Sequence, residues 1–258
     1  MKRRQKCTRQ RLPWSVEIRE TVMAMRKLLA LTFLLAALSA SNAAGTARAD
    51  QDAYLPPSSV DLKQVLEPPP MPDSAAGKAD LQAMLDAQQS RTPADVASAQ
   101  ADAEVSVFRF ADVIGAGFNA KNLPFTAQFF GRVREAESPP VKAAKLYFGR
   151  PRPFVADMEV HPVVKQPPDK SYPSGHATFS YTVAIILANM LPEKAVAIFA
   201  RARVYAHNRV VGGVHYPSDI EAGRISAAVI DNVMFHDAVF MADYAKARVE
   251  VRHAAGLP

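Results

Sequence analysis

Apolar residues recur at helical spacing along most of the chain beyond residue 79. The segments with this pattern are 79–90, 105–118, 125–136, 141–148, 195–209, 218–235 and 238–251. Residues 177–190 are apolar nearly all round, which is typical of a central buried helix. Thr92-Pro93-Ala94-Asp95 adds an N-cap, a first-turn proline and an acid, and therefore predicts one more helix start. We find no alternating strand pattern, so the sequence predicts an all-α, single helical-bundle domain.

The first 49 residues have the pattern of a signal peptide. Residues 28–40 form an uncharged, mostly apolar run behind two basic residues, and this run is shorter than the ~20 residues that cross a bilayer. A basic region, a short apolar region and small residues after it predict cleavage and export. We favour cleavage after Ala49 over a site six residues earlier, and Met23 or Met25 is an alternative start of translation.

The positive charge of the chain lies in this leader. The net charge is +6, but residues 1–49 hold ten of the 31 basic residues and two of the 25 acidic ones, which leaves 21 − 23 = −2 for the rest. The mature chain therefore gives no electrostatic reason to bind nucleic acid or anionic lipid. Cys7, the only cysteine, also lies in the leader, which excludes disulfides and thiol chemistry from the mature chain.

The rest of the chain divides into two parts. Residues 50–80 are polar and rich in proline, so we expect an extended arm lying on the domain. Residues 81–258 form the predicted domain, with the active site at the ends of its central helices. No second uncharged apolar run approaches about 18 residues, so we expect no membrane span in the mature chain.

The first of three motifs is Lys-x6-Arg-Pro, from Lys145 to Arg152. Two cations seven residues apart share one face of a helix, although Pro151 must end that helix near Gly149. A guanidinium fork and an ammonium together suit a tetrahedral anion. A solvated, charged helix face is the alternative for this motif alone.

The second motif, Ser171-Tyr172-Pro173-Ser174-Gly175-His176, stands immediately before the apolar segment. Free backbone N–H groups at a helix start and the positive end of the helix dipole favour an anion. The hydroxyl of Ser174 can donate to that anion, Gly175 permits its close approach, and His176 can donate a proton. Ordinary capping of the helix by Ser174 is the alternative.

The third motif is Arg-x5-His-x3-Asp, from Arg209 through His215 to Asp219. If Pro217 opens the next helix, Asp219 lies one turn beyond His215 and can accept its Nδ1–H. That bond would leave the Nε2 lone pair free for attack and raise the pKa of His215. A structural or metal-binding His–carboxylate pair is the alternative.

Together the three motifs resemble the type-2 phosphatidic-acid-phosphatase superfamily, and within it the bacterial class A non-specific acid phosphatases. The resemblance implies an exported, metal-independent acid phosphatase that hydrolyses phosphate monoesters through a phosphohistidine, without a cofactor. By motif position it implies His215 as the nucleophile, His176 as the general acid and Asp219 as the orienting partner of His215. The same resemblance assigns phosphate binding to five residues: Lys145, Arg152, Ser174, Gly175 and Arg209.

The chain departs from the family pattern at the residue before Arg209, where Asn208 replaces a serine. Vanadium haloperoxidases share the three motifs and form one alternative, and a phosphate-binding protein without turnover forms another. A membrane-bound lipid phosphatase would need several spanning helices. We expect small phosphate monoesters as partners and a periplasmic or secreted location; the sequence leaves the leaving group and the oligomeric state open.

Overall fold

The computed structural model describes residues 53–56 and 58–258, so the predicted signal peptide lies outside the described residues. In this part of the chain the regular elements are helices, which confirms the all-α prediction. They are α1 (Leu62–Val65), α2 (Ala75–Ser90), α3 (Pro93–Ala101), α4 (Ala111–Ile114), α5 (Pro124–Phe148), α6 (Pro153–Ala156), α7 (Gly175–Met190), α8 (Ala195–Val211), α9 (Pro217–Met234) and α10 (Ala238–Ala254). Two 3₁₀ turns, Val107–Phe110 and Pro192–Lys194, complete the list.

Helix α7 is the centre of the bundle. It packs against α8 and α9 along its length and also meets α5 and α10. Its buried side chains lie on every side of the helix, in agreement with the all-round apolar pattern of its sequence. The close approach of α9 depends on Gly223, because a Cβ there would lie 2.7 Å from both the Cβ of Ala177 and the carbonyl oxygen of Ser174. The start of α7 is thereby held directly against α9.

Helix α5 is one continuous helix where the sequence predicts two. It runs through Pro139 and Pro140, although each proline removes a backbone donor from the helix. Buried side chains continue at intervals of three and four residues on both sides of the prolines, from Phe129 to Ala144. Packing of this face against the bundle therefore outweighs the two lost hydrogen bonds. The C-terminal end of α5 carries Lys145, and Gly149 ends the helix with a φ of 63°.

Two other predicted elements differ from the structure. The predicted helix over 105–118 is a 3₁₀ turn followed by the four-residue α4, which ends at Gly115 with a φ of 132°. The arm predicted over 50–80 is not extended throughout, because it contains α1 and the first six residues of α2. Ser74 caps α2 by accepting the N–H of Gly77, so this helix begins at Ala75. The division of the chain into leader, arm and domain remains a prediction.

The segment before α1 is anchored by Tyr54. Its ring is buried between Phe129 of α5 and Phe240 of α10, and its hydroxyl donates to Asp243 at 2.8 Å. The guanidinium of Arg132 lies 4.0 Å from the ring centroid. Of the helices described, none is by itself long and apolar enough to cross a membrane; α9 and α10 reach that length only as a pair bent by 101°.

Candidate active site

The three motifs come together at one end of α7. Lys145 lies in the last turn of α5, and Arg152 is the residue before α6. Ser174 caps α7, whose first residues are Gly175 and His176. Arg209 belongs to the last turn of α8, His215 to the loop after it, and Asp219 to the first turn of α9.

His215 and Asp219 form a buried pair. Nδ1 of His215 lies 3.1 Å from Oδ2 of Asp219, and neither side chain is appreciably exposed. The carboxylate can only accept, so Nδ1 carries the proton and Nε2 is the unprotonated nitrogen, whose lone pair can accept a hydrogen bond or attack an electrophile. Oδ2 of Asp219 also accepts from the hydroxyl of Ser171 and from the N–H of Tyr216. Asp219 is thus held in place by several donors besides the imidazole.

Arg152 lies at the Nε2 side of His215, and Lys145 shares a carboxylate partner with it. Nη1 of Arg152 is 3.0 Å from this nitrogen and donates to the carbonyl oxygen of Val214 at 2.8 Å. Asp169 pairs with Arg152 at 2.6 Å and with Nζ of Lys145 at 3.2 Å, and half of its side chain is exposed. Burial, followed by the charge of Arg152, lowers the pKa of Lys145 to about 8.

Arg209 is the most deeply buried cation of the site. Its guanidinium is 2% exposed, yet Nε and Nη1 have no hydrogen-bond partner within the described chain. Burial, followed by the charge of Arg152, lowers its pKa to about 10. A buried guanidinium with free donors is costly unless an anion meets it. Arg209 is therefore arranged to receive a negatively charged group.

His176 faces the same cations from the start of α7. Its Nε2 lies 3.1 Å from the carbonyl oxygen of Ala103, which can only accept, so Nε2 carries a proton and Nδ1 is the nitrogen that titrates. Burial, followed by the charge of Arg209, lowers the pKa of His176 to about 3. In this structure the hydroxyl of Ser174 accepts the N–H of Ala177 at 3.3 Å, the capping role given above as its alternative.

The pKa of His215 is lowered well below its usual value, whereas the sequence predicts that Asp219 raises it. That prediction is wrong, because burial is the largest cause and the charges of Arg152, Lys145 and Arg209 act in the same direction. Burial and the neighbouring cations therefore favour the neutral form of both imidazoles in the ligand-free site. A bound phosphate would bring the negative charge that returns a proton to one of them.

Sequence reasoning missed a buried guanidinium behind Asp219. Nη1 of Arg150 donates to Oδ1 of Asp219 at 2.7 Å, and Nη2 donates to Asp80 at 2.7 Å. Arg150 stands two residues before Arg152, inside the first motif, and this position was the only signal in the sequence. Asp80 lies at the end of the predicted arm, so nothing in its local sequence connects it with residue 219.

A second missed cluster supports α8 behind Arg209. Asn208 donates to Ser98 at 2.9 Å and to the fully buried Asp102 at 2.8 Å. Arg201 makes two further hydrogen bonds to Asp102, at 2.6 and 3.0 Å. Asn208, the residue that departs from the family pattern, therefore ties the helix of Arg209 to the end of α3.

The described residues contain no group of three or more His, Cys, Asp or Glu side chains placed to hold a metal ion. Among the described residues, the carboxylate that forms ion pairs with Lys145 and Arg152 is that of Asp169. The site thus collects positive charge around His215, an arrangement suited to an oxyanion.

Known proteins similar to this chain agree with the motifs. An acid phosphatase of Zymomonas mobilis is 32% identical over 200 residues, which cover 73% of this chain and 75% of the relative. A non-specific acid phosphatase of Salmonella typhi is 32% identical over 190 residues, which cover 69% of this chain and 75% of the relative.

A solved structure shows the same fold at lower identity. A bacterial vanadium-dependent iodoperoxidase matches with a TM-score of 0.51 and 18% identity, covering 66% of this chain and 51% of the peroxidase. This likeness concerns the fold alone. Residues 131–240, which hold all three motifs, match the sequence pattern of the PAP2 superfamily. With the two relatives above, one named acid phosphatase and the other non-specific acid phosphatase, this match shows that the chain belongs to the PAP2 superfamily.

Proposed function

We propose that the chain is an acid phosphatase that hydrolyses small phosphate monoesters through a phosphohistidine at His215. The PAP2 pattern and relatives named acid phosphatase support a phosphatase. The covalent route rests on the chemistry of this chain's own residues. The sequence features of a signal peptide support export, so we place the activity in the periplasm or outside the cell.

The observation that carries the proposal is the buried guanidinium of Arg209 with two unpartnered donors beside the His215–Asp219 pair. The charges of two further cations, Lys145 and Arg152, also act on the imidazole of His215, and each lowers its pKa. Three cations around one neutral imidazole can neutralise the oxygens of a phosphoryl group during its transfer. A protein that only binds phosphate has no need of an oriented imidazole.

In the first step, Nε2 of His215 attacks phosphorus and the ester P–O bond breaks. Nδ1–H remains bonded to Asp219, which stabilises the positive ring. Arg152 must turn away from Nε2 as the phosphoryl group arrives. Its guanidinium then donates hydrogen bonds to the phosphoryl oxygens, as Lys145 and Arg209 do. The negative charge of the substrate favours protonation of His176 at Nδ1, which passes this proton to the departing alkoxide.

In the second step, water attacks the phosphohistidine while Nδ1 of the now neutral His176 takes the water's proton. The P–N bond breaks, inorganic phosphate forms, and the electron pair returns to Nε2 of His215. Atoms and charges balance without a metal ion, so the activity is expected to persist in EDTA. An alcohol in place of water would give a phosphotransferase reaction.

His215→Ala tests this proposal directly. We expect purified wild-type protein to release p-nitrophenol from its phosphate ester in EDTA, and acid quench during turnover to trap phosphate on a histidine. The alanine variant should lose ~10⁴-fold or more in kcat and trap no phosphate. His253→Ala is the control, because His253 lies in the last turn of α10 and should be dispensable. Near-normal kcat in His215→Ala would contradict the assignment of the nucleophile.

A further inference from the structure

Two buried carboxylates share one guanidinium behind the His215–Asp219 pair. Arg150 reaches Asp219 with Nη1 and Asp80 with Nη2, both at 2.7 Å, and all three side chains are less than one-tenth exposed. The guanidinium lies 3.9 Å from the ring centroid of Tyr216. Asp80 also accepts the N–H of Ser218 at 2.9 Å, at the start of α9. The guanidinium is therefore held on one face by the ring of Tyr216 and at Nη1 and Nη2 by the two carboxylates.

We propose that Arg150 and Asp80 are positioning residues. They orient Asp219, and together with it they set the net charge of the buried group next to which the His215 imidazole becomes positive. This inference rests on the proposed function, in which the imidazole carries a positive charge after attack. Neither residue touches the phosphoryl group. Asp80 belongs to α2, which lies outside the residues that match the PAP2 pattern, 131–240. In this proposal α2 therefore contributes to the orientation of Asp219.

The charge of the group explains why two carboxylates are present. Asp80, Arg150 and Asp219 together carry −1, so the group becomes neutral when His215 turns positive. Without Asp80, Arg150 would neutralise Asp219 and the positive ring would face no counter-charge. Because these groups are buried, an uncompensated charge there is costly. Asp80 thereby keeps Asp219 available to the imidazole.

Other charged groups also act on His215, and the test must hold them constant. The groups that lower its pKa are Arg152, Lys145, Arg209 and His176. They come from α5, α7, α8 and the loop before α6, and none of them contacts Asp80. Tyr172 is a further titratable side chain near Asp219 and Arg150, since the charges of both affect the pKa of its hydroxyl. Substitutions at Asp80 and Arg150 leave all of these in place.

The experiment compares Asp80→Asn, Arg150→Gln and Arg150→Lys by kcat/KM against pH with a single substrate, and by the rate of phosphoenzyme formation in rapid quench. We call the fall in kcat/KM at low pH, where His215 takes up a proton, the acid limb. Asp80→Asn removes a negative charge, so the acid limb should move to lower pH by about 0.5–1 unit. Phosphoenzyme formation should be about 3–10-fold slower. Arg150→Gln removes a positive charge, so the limb should move to higher pH. Arg150→Lys, which keeps the charge, should lie between Arg150→Gln and the wild type.

Glu221→Gln is the matched control. It removes a negative charge from the same helix, α9, but Glu221 is exposed and pairs with Arg224, so neither the limb nor the rate should change. Thermal melts check that each variant folds. Should Asp80→Asn fail to fold, the two Arg150 variants still decide the sign of the shift.

A purely structural network would lower activity equally at every pH. The inference is therefore overturned if the acid limb stays in place in Asp80→Asn and Arg150→Gln, or if it moves in the same direction in both. The proposed function fails by a different result, namely turnover by His215→Ala. An inactive His215→Ala together with unshifted limbs in both charge variants would refute the positioning role and leave the nucleophile assignment intact.

Discussion

The contact between α7 and α9 at Gly223 makes a prediction that separates helix propensity from packing. In an ordinary helix interior, replacing glycine with alanine stabilises by about 0.5–1 kcal/mol. At residue 223 the added Cβ would lie 2.7 Å from the carbonyl oxygen of Ser174, whereas ordinary contact begins at 3.4 Å. The two helices must therefore separate by 3.4 − 2.7 = 0.7 Å, or the backbone must distort.

Overpacking of this kind costs about 1–3 kcal/mol, which exceeds the gain in helix propensity. Subtracting this gain leaves a net loss of up to about 2.5 kcal/mol. We expect Gly223→Ala to lower Tm by up to about 10 °C, because about 1 kcal/mol changes the Tm of a domain of this size by 2–4 °C. The same shift moves Ser174 and the first turn of α7, which carries His176. A displacement near 1 Å in a catalytic group costs on the order of 10²-fold in rate, so kcat should fall by about 10–100-fold.

Gly131→Ala is the matched control. Gly131 lies in α5, is exposed, and an added Cβ would meet no atom within 4 Å. This variant should gain about 0.5–1 kcal/mol and keep wild-type kcat. Circular-dichroism melts and p-nitrophenyl phosphate turnover measure both variants. If Gly223→Ala were as stable and as active as Gly131→Ala, the tight contact with α9 would not position the start of α7.

Two further predictions concern protons. His176→Ala should lose most activity toward alkyl phosphates and least toward p-nitrophenyl phosphate, whose leaving group hardly needs a proton; equal losses would mean that His176 only binds phosphate. Glu137 and Asp231 are buried, and Oε2 of Glu137 and both carboxylate oxygens of Asp231 have no hydrogen-bond partner in the described part of the chain. Burial raises the pKa of each carboxyl group, so the native state retains protons that the unfolded chain releases above about pH 4. Stability should then fall with rising pH by up to about 1.4 kcal/mol per unit for each group. Glu137→Gln should raise Tm at pH 8 and change it little at pH 4, and a gain of equal size at both would contradict the titration.

Helices that the sequence predicts well are those with a continuous apolar pattern and clear ends. The predicted α7 begins two residues late, the bounds of α9 each differ from the predicted ones by one residue, and α10 begins where predicted but ends three residues later. Local signals failed where long-range packing decided the outcome. Pro139 and Pro140 end a helix by every local rule, yet the buried face of α5 continues across them.

The site divides in the same way. The three motifs predict a common site around His215 because the second motif begins α7 and the other two lie at the ends of helices that meet α7. Arg150 and Asp80 escaped notice because they are 70 residues apart in sequence and have ordinary neighbours. Their importance arises only from the fold, which buries a shared charge between α2 and α9. The pKa of His215 was misjudged for a related reason, since spacing shows a carboxylate but not the depth of burial.

Asp169 gives the site a property of its own. Its carboxylate already engages Lys145 and Arg152, and it lies half exposed at the edge of the site. In the proposed function, a phosphate that binds Lys145 and Arg152 replaces this carboxylate, so its measured affinity is the difference between the two pairings and is lower than the strength of its own contacts. The reverse exchange assists departure, because the carboxylate can retake the cations as inorganic phosphate leaves. In the proposed reaction, Asp169 thus limits how tightly inorganic phosphate is bound and favours its release.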